Sequence, residues 1–498
     1  MPEGRGVSNG HRHPAPPRHL GRTLPAVTLL PHERSRRERV LTLLSVLVGL
    51  VVGAGILQAA GPGDDASAAQ AEAAYAEGFA LQKSKQTEAA AAAYERALAL
   101  NPDHVKALYE VGWSYWVLGR WAEVVRVWER VLVLDPAHAD APKYLPEAIQ
   151  KRDLRARLEA SAPAGVTPAE TPRRDGPGVR FTFGGDTMMG SELSNAGLPP
   201  NDGAAIFSAV APRMQAADIA FLNLEGVLAD GGRSAKCGED SKPGACYAFR
   251  TPVRYAKNLS DAGIDVVSFA NNHVNDYGAE GRRTTLAALD ALGIAAAGPL
   301  DRTVILEVRG LKVGILGFAT SPHGGDLRDV DLAAAIVRDM AAQADLVVVS
   351  FHGGAEGTSA QRVPSGVETF MGENRGDLRR FTHAVIDAGA DLVVGHGPHV
   401  LRAVEVYKER LIAYSLGNFA TYGGINLSGR SGLTVLLEVD LHPDGRLAEG
   451  RLIAGRQMVP GGPLLDPSGE AIAVVRELTA LDFPGSAAHV SAQGVITP

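Results

Sequence analysis

Apolar and polar positions divide this chain into three unlike stretches. Residues 40–60, VLTLLSVLVGLVVGAGILQAA, are apolar on every face and carry no charge. From 68 to 151 the pattern repeats with a shift of 34 residues: YERALALNP (94–102) returns as WERVLVLDP (128–136), and Gly78 maps to Gly112. From 179 onward, short apolar runs of strand length alternate with helical segments. Strands are expected near 179–184, 218–223, 264–270, 303–308, 312–318, 345–351, 391–395, 402–406, 411–415 and 433–440. Helices are expected near 206–216, 253–262, 282–292, 331–342 and 376–389.

Each stretch has a physical reading. A 21-residue apolar helix reaches roughly 30 Å, enough for a bilayer. Arg34, Arg36, Arg37 and Arg39 precede it, and Asp64 and Asp65 follow. The positive-inside rule then places the N-terminus in the cytoplasm and all later residues outside, giving a single-pass protein of the cytoplasmic (inner) membrane. A cleaved signal peptide is the alternative. The 34-residue period predicts helix–turn–helix units of the tetratricopeptide kind over 68–157, two repeats and a terminal helix. Small residues at 78 and 112 would let paired helices approach closely. An independent stack usually needs three or more units, so this one is expected to lean on a partner or on the next domain. Two roles fit it: a spacer that lifts the next domain off the membrane, and a protein-binding surface. Alternation after 179 predicts an α/β domain with a mixed sheet.

The connecting segments are compositional. Residues 1–39, rich in Pro, Arg, His and Gly, read as a disordered cytoplasmic tail. Residues 158–178 read as a linker. The domain proper is expected to run over 179–461, with 462–498 a C-terminal tail carrying at most a helix near 469–480. A net charge of -7 shows no sign of a nucleic-acid binder. Two cysteines exclude a cysteine-rich zinc module. Cys237 and Cys246 lie nine residues apart on one Gly-rich loop, and the expected topology puts them in an oxidising compartment, so they are expected to pair. Closing so short a loop contributes roughly 2–3 kcal/mol by chain-entropy reasoning.

Candidate chemistry sits where the apolar runs stop. FTFGGD ends at Asp186, IAFLNLE at Glu225, VVSFANNH at Asn272 and His273, LVVVSFH at His352, and DLVVGHGPH at His396 and His399. In open α/β sheets, sites form beyond the carboxyl ends of strands. Any one of these residues taken alone reads equally well as a cap or a solvated turn. Together they point to a divalent-metal site, since neutral imidazole commonly binds Zn, Mn and Fe.

The ordered motifs FGGDTMMG, NLEG, FANNH, SFHGGAE, GHGPHV and AYSLGNF resemble the CapA-type poly-γ-glutamate capsule biosynthesis proteins of the calcineurin-like metallophosphoesterase superfamily. The resemblance spans about residues 179–421. It implies a four-layer α/β/β/α sandwich holding two metals, Mn, Fe or Zn, at the sheet ends. It further implies metal ligation by Asp186, Glu225, Asn272, His352, His396 and His399. His273 would protonate the leaving group or steady the transition state. Three departures stand out: Met188 replaces the histidine of the superfamily's D-x-H, Glu225 replaces an aspartate, and the closing H-x-H has become H-x-x-H.

Two metals some 3.5–4 Å apart can clamp an anionic transition state. That chemistry suits a phosphoester, and it also suits amide cleavage or transfer of a γ-glutamyl chain. On the loop after His352, Glu356 and Arg375 are candidate substrate contacts, Arg375 for a carboxylate or phosphate; a solvated ion pair is the plainer reading of Arg375. Two functions follow. One is a membrane-anchored, metal-dependent hydrolase or transferase acting on an anionic cell-surface polymer or its precursor. The other is a non-catalytic envelope assembly factor that recruits a protein partner through its repeats.

Overall fold

The computed structural model describes residues 62–498 apart from 85, 162–177, 193–196, 239–245, 322, 459–460 and 487. The expected N-terminal tail and membrane span at 1–60, and most of the expected linker, lie outside the described residues. Among the described residues, no helix is long and apolar enough to cross a membrane.

The repeat pattern becomes five helices: α1 (Pro62–Lys83), α2 (Thr87–Leu100), α3 (Val105–Val117), α4 (Trp121–Leu134) and α5 (Ala141–Ser161). Their core is aromatic, with Tyr94 and Trp128 fully buried and Trp116 and Trp121 nearly so. The periodic glycines are steric necessities. A Cβ on Gly78 would lie 2.6 Å from the Tyr94 ring, and one on Gly112 would lie 2.0 Å from Trp128 Nε1. The stack does lean on the next domain. From α5, Glu147 meets His323 at 3.1 Å and Arg155 meets Asp329 at 3.2 Å. Between them Lys151 is buried, its ammonium 4.6 Å from the Trp121 ring centre.

The α/β part starts with β1 (Val179–Met188), β2 (Ile219–Leu224), α6 (Ala256–Asp261), β3 (Val266–Ser268), α7 (Gly278–Ala291) and β4 (Ala295–Ala297). Next come β5 (Val304–Val308), β6 (Leu311–Ala319), α8 (Val330–Ala341), β7 (Leu346–His352), α9 (Leu378–Asp387) and β8 (Leu392–His396). The remainder is β9 (Val404–Tyr407), β10 (Arg410–Ala413), β11 (Asn418–Thr421), β12 (Leu433–Leu441), β13 (Leu447–Gln457), β14 (Pro463–Leu465), α10 (Glu470–Asp482), β15 (His489–Val490) and β16 (Val495–Thr497). Helices α8 and α9 are started by Asp329 and Asp377, whose carboxylates accept N–H groups of the first turn.

These strands form two mixed sheets. One runs β15-β16-β13-β12-β1-β2-β3-β4, with β11 on β1 and β14 on β13. The other runs β9-β10-β8-β7-β6-β5, with the two-residue strand Gly325–Asp326 on β6. Strand alternation sorts their side chains. Val179, Phe181, Phe183, Ile219 and Phe221 join one buried cluster with Val347, Val349 and Val393 of the other sheet. On the opposite face of β2, Ala220, Leu222 and Leu224 pack with Leu259 of α6 and Leu289 of α7.

One expectation needs correcting. The stretch after 461 is no tail: β14 and β16 both pair with β13, and α10 buries Ala471, Val475 and Leu478 in the main core. Its strands are two or three residues long, too short for an alternating pattern to register.

Candidate metal centre

The carboxyl ends of parallel strands from both sheets meet at one place. In the first sheet, Asp186 on β1 is in register with Asn223 on β2 and Asn418 on β11. Glu225 follows β2 directly, and its N–H donates to Thr187 O at 2.8 Å. In the second sheet, His352 closes β7 opposite His396, which closes β8. The close approach depends on glycine: a Cβ on Gly185 would stand 2.1 Å from Gly417 O.

Asp186, Glu225 and His399 converge, with one ligand atom from each within 4.8 Å of the others. His399 Nδ1 is 3.3 Å from Asp186, and its Nε2 is 3.5 Å from Glu225. His352 lies 3.9 Å from both carboxylates, and His396 Nδ1 lies 3.8 Å from Asp186. His399 reaches the centre through a left-handed backbone, φ 57°, a conformation uncommon for a residue with a Cβ and concentrated at functional sites.

The donor atoms fit a cation. Both carboxylate oxygens of Glu225, both ring nitrogens of His396, His352 Nε2 and Asn272 Oδ1 are buried without a hydrogen-bond partner. Leaving such groups unsatisfied costs about 1–3 kcal/mol each, and native folds rarely leave several together. A divalent ion bound by nitrogen and oxygen donors removes that cost.

The electrostatics of the metal-free centre follow from burial and proximity. Burial works to raise Asp186, yet the hydrogen bond and charge of His399, with His352 and His396 behind it, hold it well below the usual carboxylate range. Burial raises Glu225 to about 8. Burial opposes a charge on His399, but the Glu225 and Asp186 carboxylates outweigh it and lift His399 to about 10. Burial lowers His352 well below its ordinary value and His396 to about 4, so both rings stay neutral and keep lone pairs for a metal.

His273 stands to one side. Its Nδ1–H donates to Asp276 at 2.7 Å, its Nε2 is 3.8 Å from Glu225, and Phe249 stacks on the ring at 4.3 Å. Burial lowers its pKa, with the Asp276 carboxylate pulling the other way. Glu356 lies 3.9 Å from His399, and its other oxygen pairs with Arg375 at 2.9 Å. Arg375 is thus taken up by Glu356 rather than open to solvent. Cys237 and Cys246 are joined as a disulfide beside the His273 loop.

With this geometry in view, comparison with known proteins is informative. A model of the bacterial capsule synthesis protein family, PGA_cap, matches residues 180–422. Residues 180–422 form a PGA_cap domain. A tetratricopeptide repeat model matches 71–104. The chain is 36% identical over 183 residues to the capsule biosynthesis protein CapA of Bacillus anthracis, covering 33% of this chain and 41% of that protein. It is 29% identical over 256 residues to the PGA biosynthesis protein CapA of Bacillus subtilis strain 168, covering 48% and 62%. Among solved structures, a purple acid phosphatase from yellow lupin seeds overlays with a TM-score of 0.28 at 10% identity over 60% of this chain and 55% of that one, below the level that informs fold or function.

The PGA_cap domain also holds site residues that sequence reasoning passed over. Asn223 Nδ2 donates to Asp186 at 2.8 Å and lies 3.2 Å from His352 Nδ1. Asn271 Nδ2 donates to Asn223 Oδ1 at 3.2 Å and to Leu224 O at 2.8 Å. Asn418 lies 3.1 Å from His399 Nδ1 and donates to His399 O. All three sit inside the motifs NLEG, FANNH and LGNF, but a single amide in an apolar run does not announce what it faces.

Proposed function

We propose that the PGA_cap domain is a metal-dependent hydrolase or transferase acting on an anionic cell-surface polymer, such as poly-γ-glutamate, or on its precursor. The observation that carries this is the convergence of unpartnered, buried ligand atoms from both sheets on Asp186, Glu225 and His399. Two sheets with apolar helices against the first support the four-layer sandwich of the metallophosphoesterases. Asp186, Glu225 and His399 would hold one divalent ion. His352, His396 and Asn272 would complete its shell or hold a second. When bound, the ion supplies Lewis acidity and activates water.

The chain's own residues supply the rest. Asp276 fixes the His273 ring and keeps the proton on Nδ1, so that Nε2 faces the centre. His273 Nε2 takes a proton from the attacking water, Asp276 steadies the imidazolium so formed, and Nε2 then gives that proton to the leaving oxygen or nitrogen. Asn223 orients Asp186, with Asn271 orienting Asn223 in turn. Glu356, held by the buried Arg375, would meet the substrate beside His399. The apolar run at 40–60 would anchor the protein in the cytoplasmic membrane with the PGA_cap domain outside, and the repeats would engage a protein partner there.

A second reading, a non-catalytic assembly factor, draws on Met188. Where the superfamily carries a histidine, this thioether is buried and accepts the Gly190 N–H at 3.2 Å, turned to packing rather than ligation. The deciding experiment offers Mn²⁺-loaded full-length protein a chromogenic phosphoester and poly-γ-glutamate. Turnover of either supports the enzyme. Stoichiometric metal with no turnover of both moves the assignment to the assembly factor.

A further inference from the structure

We propose that Lys236 binds an anionic oxygen of the substrate next to the reacting bond, and that the Cys237–Cys246 disulfide holds it there. The inference rests on the metal-dependent reading above and names how that site recognises its substrate.

The loop bearing Lys236 is tied to the His273 side of the centre at both ends. On one side, Ser234 Oγ donates to Asp276 O at 3.1 Å and accepts the N–H groups of Lys236 and Cys237 at 3.1 and 2.8 Å. Ala235 N–H donates to Asp276 O at 2.8 Å. On the other side, three residues past Cys246, Phe249 N–H donates to Asp276 Oδ2 at 2.7 Å. The disulfide joins these two arms. Lys236 Nζ consequently sits 3.5 Å from Asp276 Oδ1 and 3.4 Å from His273 Nδ1, with its side chain still 36% exposed.

Charge makes that position significant. Asp186 and Glu225 are taken up by His399 and by the ion they would hold, and Glu356 by Arg375, so none of those cations is left for the part of an anionic substrate beyond the reacting bond. Arg375 is 3% exposed and paired with Glu356. Lys236 is a cation with solvent access, beside the ring that handles the leaving group. Its tie, to Asp276 Oδ1, is long and falls short of a hydrogen bond, while His273 and Phe249 are held by the other oxygen, Oδ2. A substrate oxyanion reaching Nζ therefore gains a charge-assisted contact without breaking a strong one. Two oxyanions share this chemistry, a phosphoester oxygen and a carboxylate of a γ-linked glutamate chain.

The test uses Mn²⁺-loaded full-length protein, with a chromogenic phosphodiester in one arm and short γ-linked glutamate chains in the other. Lys236→Ala is expected to raise KM roughly 10- to 100-fold in the arm whose anion it contacts, the loss of one charge-assisted bond. Bound Mn²⁺ and the thermal midpoint should stay put, which a purely structural partner of Asp276 would not allow. Lys236→Arg should recover most of the KM. The double variant Cys237→Ser/Cys246→Ser should raise KM in the same arm, with no further rise when Lys236→Ala is added, because both act through one contact. An unchanged KM in both arms overturns the proposal while wild-type turnover leaves the metal-dependent reading intact. If the wild type turns over neither substrate, equilibrium binding of inorganic phosphate and of the glutamate chains decides. Binding that Lys236→Ala abolishes supports the anion site and removes only the catalytic reading; equal binding in wild type and variant, or no binding at all, overturns it.

Discussion

The repeat helices and the PGA_cap centre solve opposite problems with the same kinds of side chain. In the repeats, some polar atoms on large rings are spent on neighbours, Trp128 Nε1–H donating to Tyr109 O at 3.1 Å and Tyr94 OH to Gln82 at 2.5 Å, while the buried N–H groups of Trp116 and Trp121 have no hydrogen-bond partner. Contacts there are local, between helices adjacent in sequence. In the centre, buried imidazoles and carboxylates are brought together from positions as far apart as Asp186 and His399, and several of their atoms have no partner. The open indole N–H groups of the repeats are donors and cannot bind a cation, whereas the centre gathers open imidazole and carboxylate lone pairs at one point, which is where a metal belongs.

Breaking the centre should therefore remove metal and leave the fold, and the largest effect comes from its shared carboxylate. Asp186→Ala is expected to reduce bound Mn²⁺ to background and abolish metal-dependent turnover, read by elemental analysis beside a thermal melt. Retention of stoichiometric metal would place the ion elsewhere. His273→Ala separates chemistry from binding. Metal content should hold while turnover falls about 10²–10⁴-fold, the contribution of a positioned acid or base. Asn223→Ala tests the amide that orients Asp186, and a 10- to 100-fold weaker Mn²⁺ affinity by calorimetry is expected.

Proton linkage sharpens the contrast further. Glu225 is raised from 4.5 to about 8, and His399 from 6.5 to about 10, in the metal-free fold. A group whose folded pKa lies above its unfolded value stabilises most at low pH and loses that contribution as pH rises through the folded value. Metal-free protein should thus lose stability from about pH 4.5 up to about 8 through Glu225 and from about 6.5 up to about 10 through His399. Metal displaces the same protons, so Mn²⁺ affinity should rise over that range by up to about tenfold per pH unit for each proton released. A flat affinity profile would remove Glu225 and His399 as ligands. The smallest effect on the centre is expected from the far side of the comparison. Gly112→Ala drives a Cβ into Trp128 and should cost about 1–3 kcal/mol in the repeat stack while Mn²⁺ affinity is unchanged.

The residues themselves determined a good deal. A 34-residue period bound Gly78 and Gly112 to close helix packing, because only a missing Cβ admits the opposing ring at that distance. Strand-length runs ending in Asp186, Glu225, His352 and His396 marked the edge where two sheets meet, because a parallel sheet gathers its strand ends on one side. Tertiary structure decided what no local pattern encodes. Strand register put Asn223 beside Asp186, and a one-residue shift would have turned that amide to the other face. The choice between His396 and His399 fell to the backbone. His399, at φ 57°, reaches both carboxylates, whereas His396 lies near Asp186 alone among them. The residues after 461 joined the first sheet for the same reason. A strand of two or three residues has no period of its own and is defined by the neighbour it pairs with.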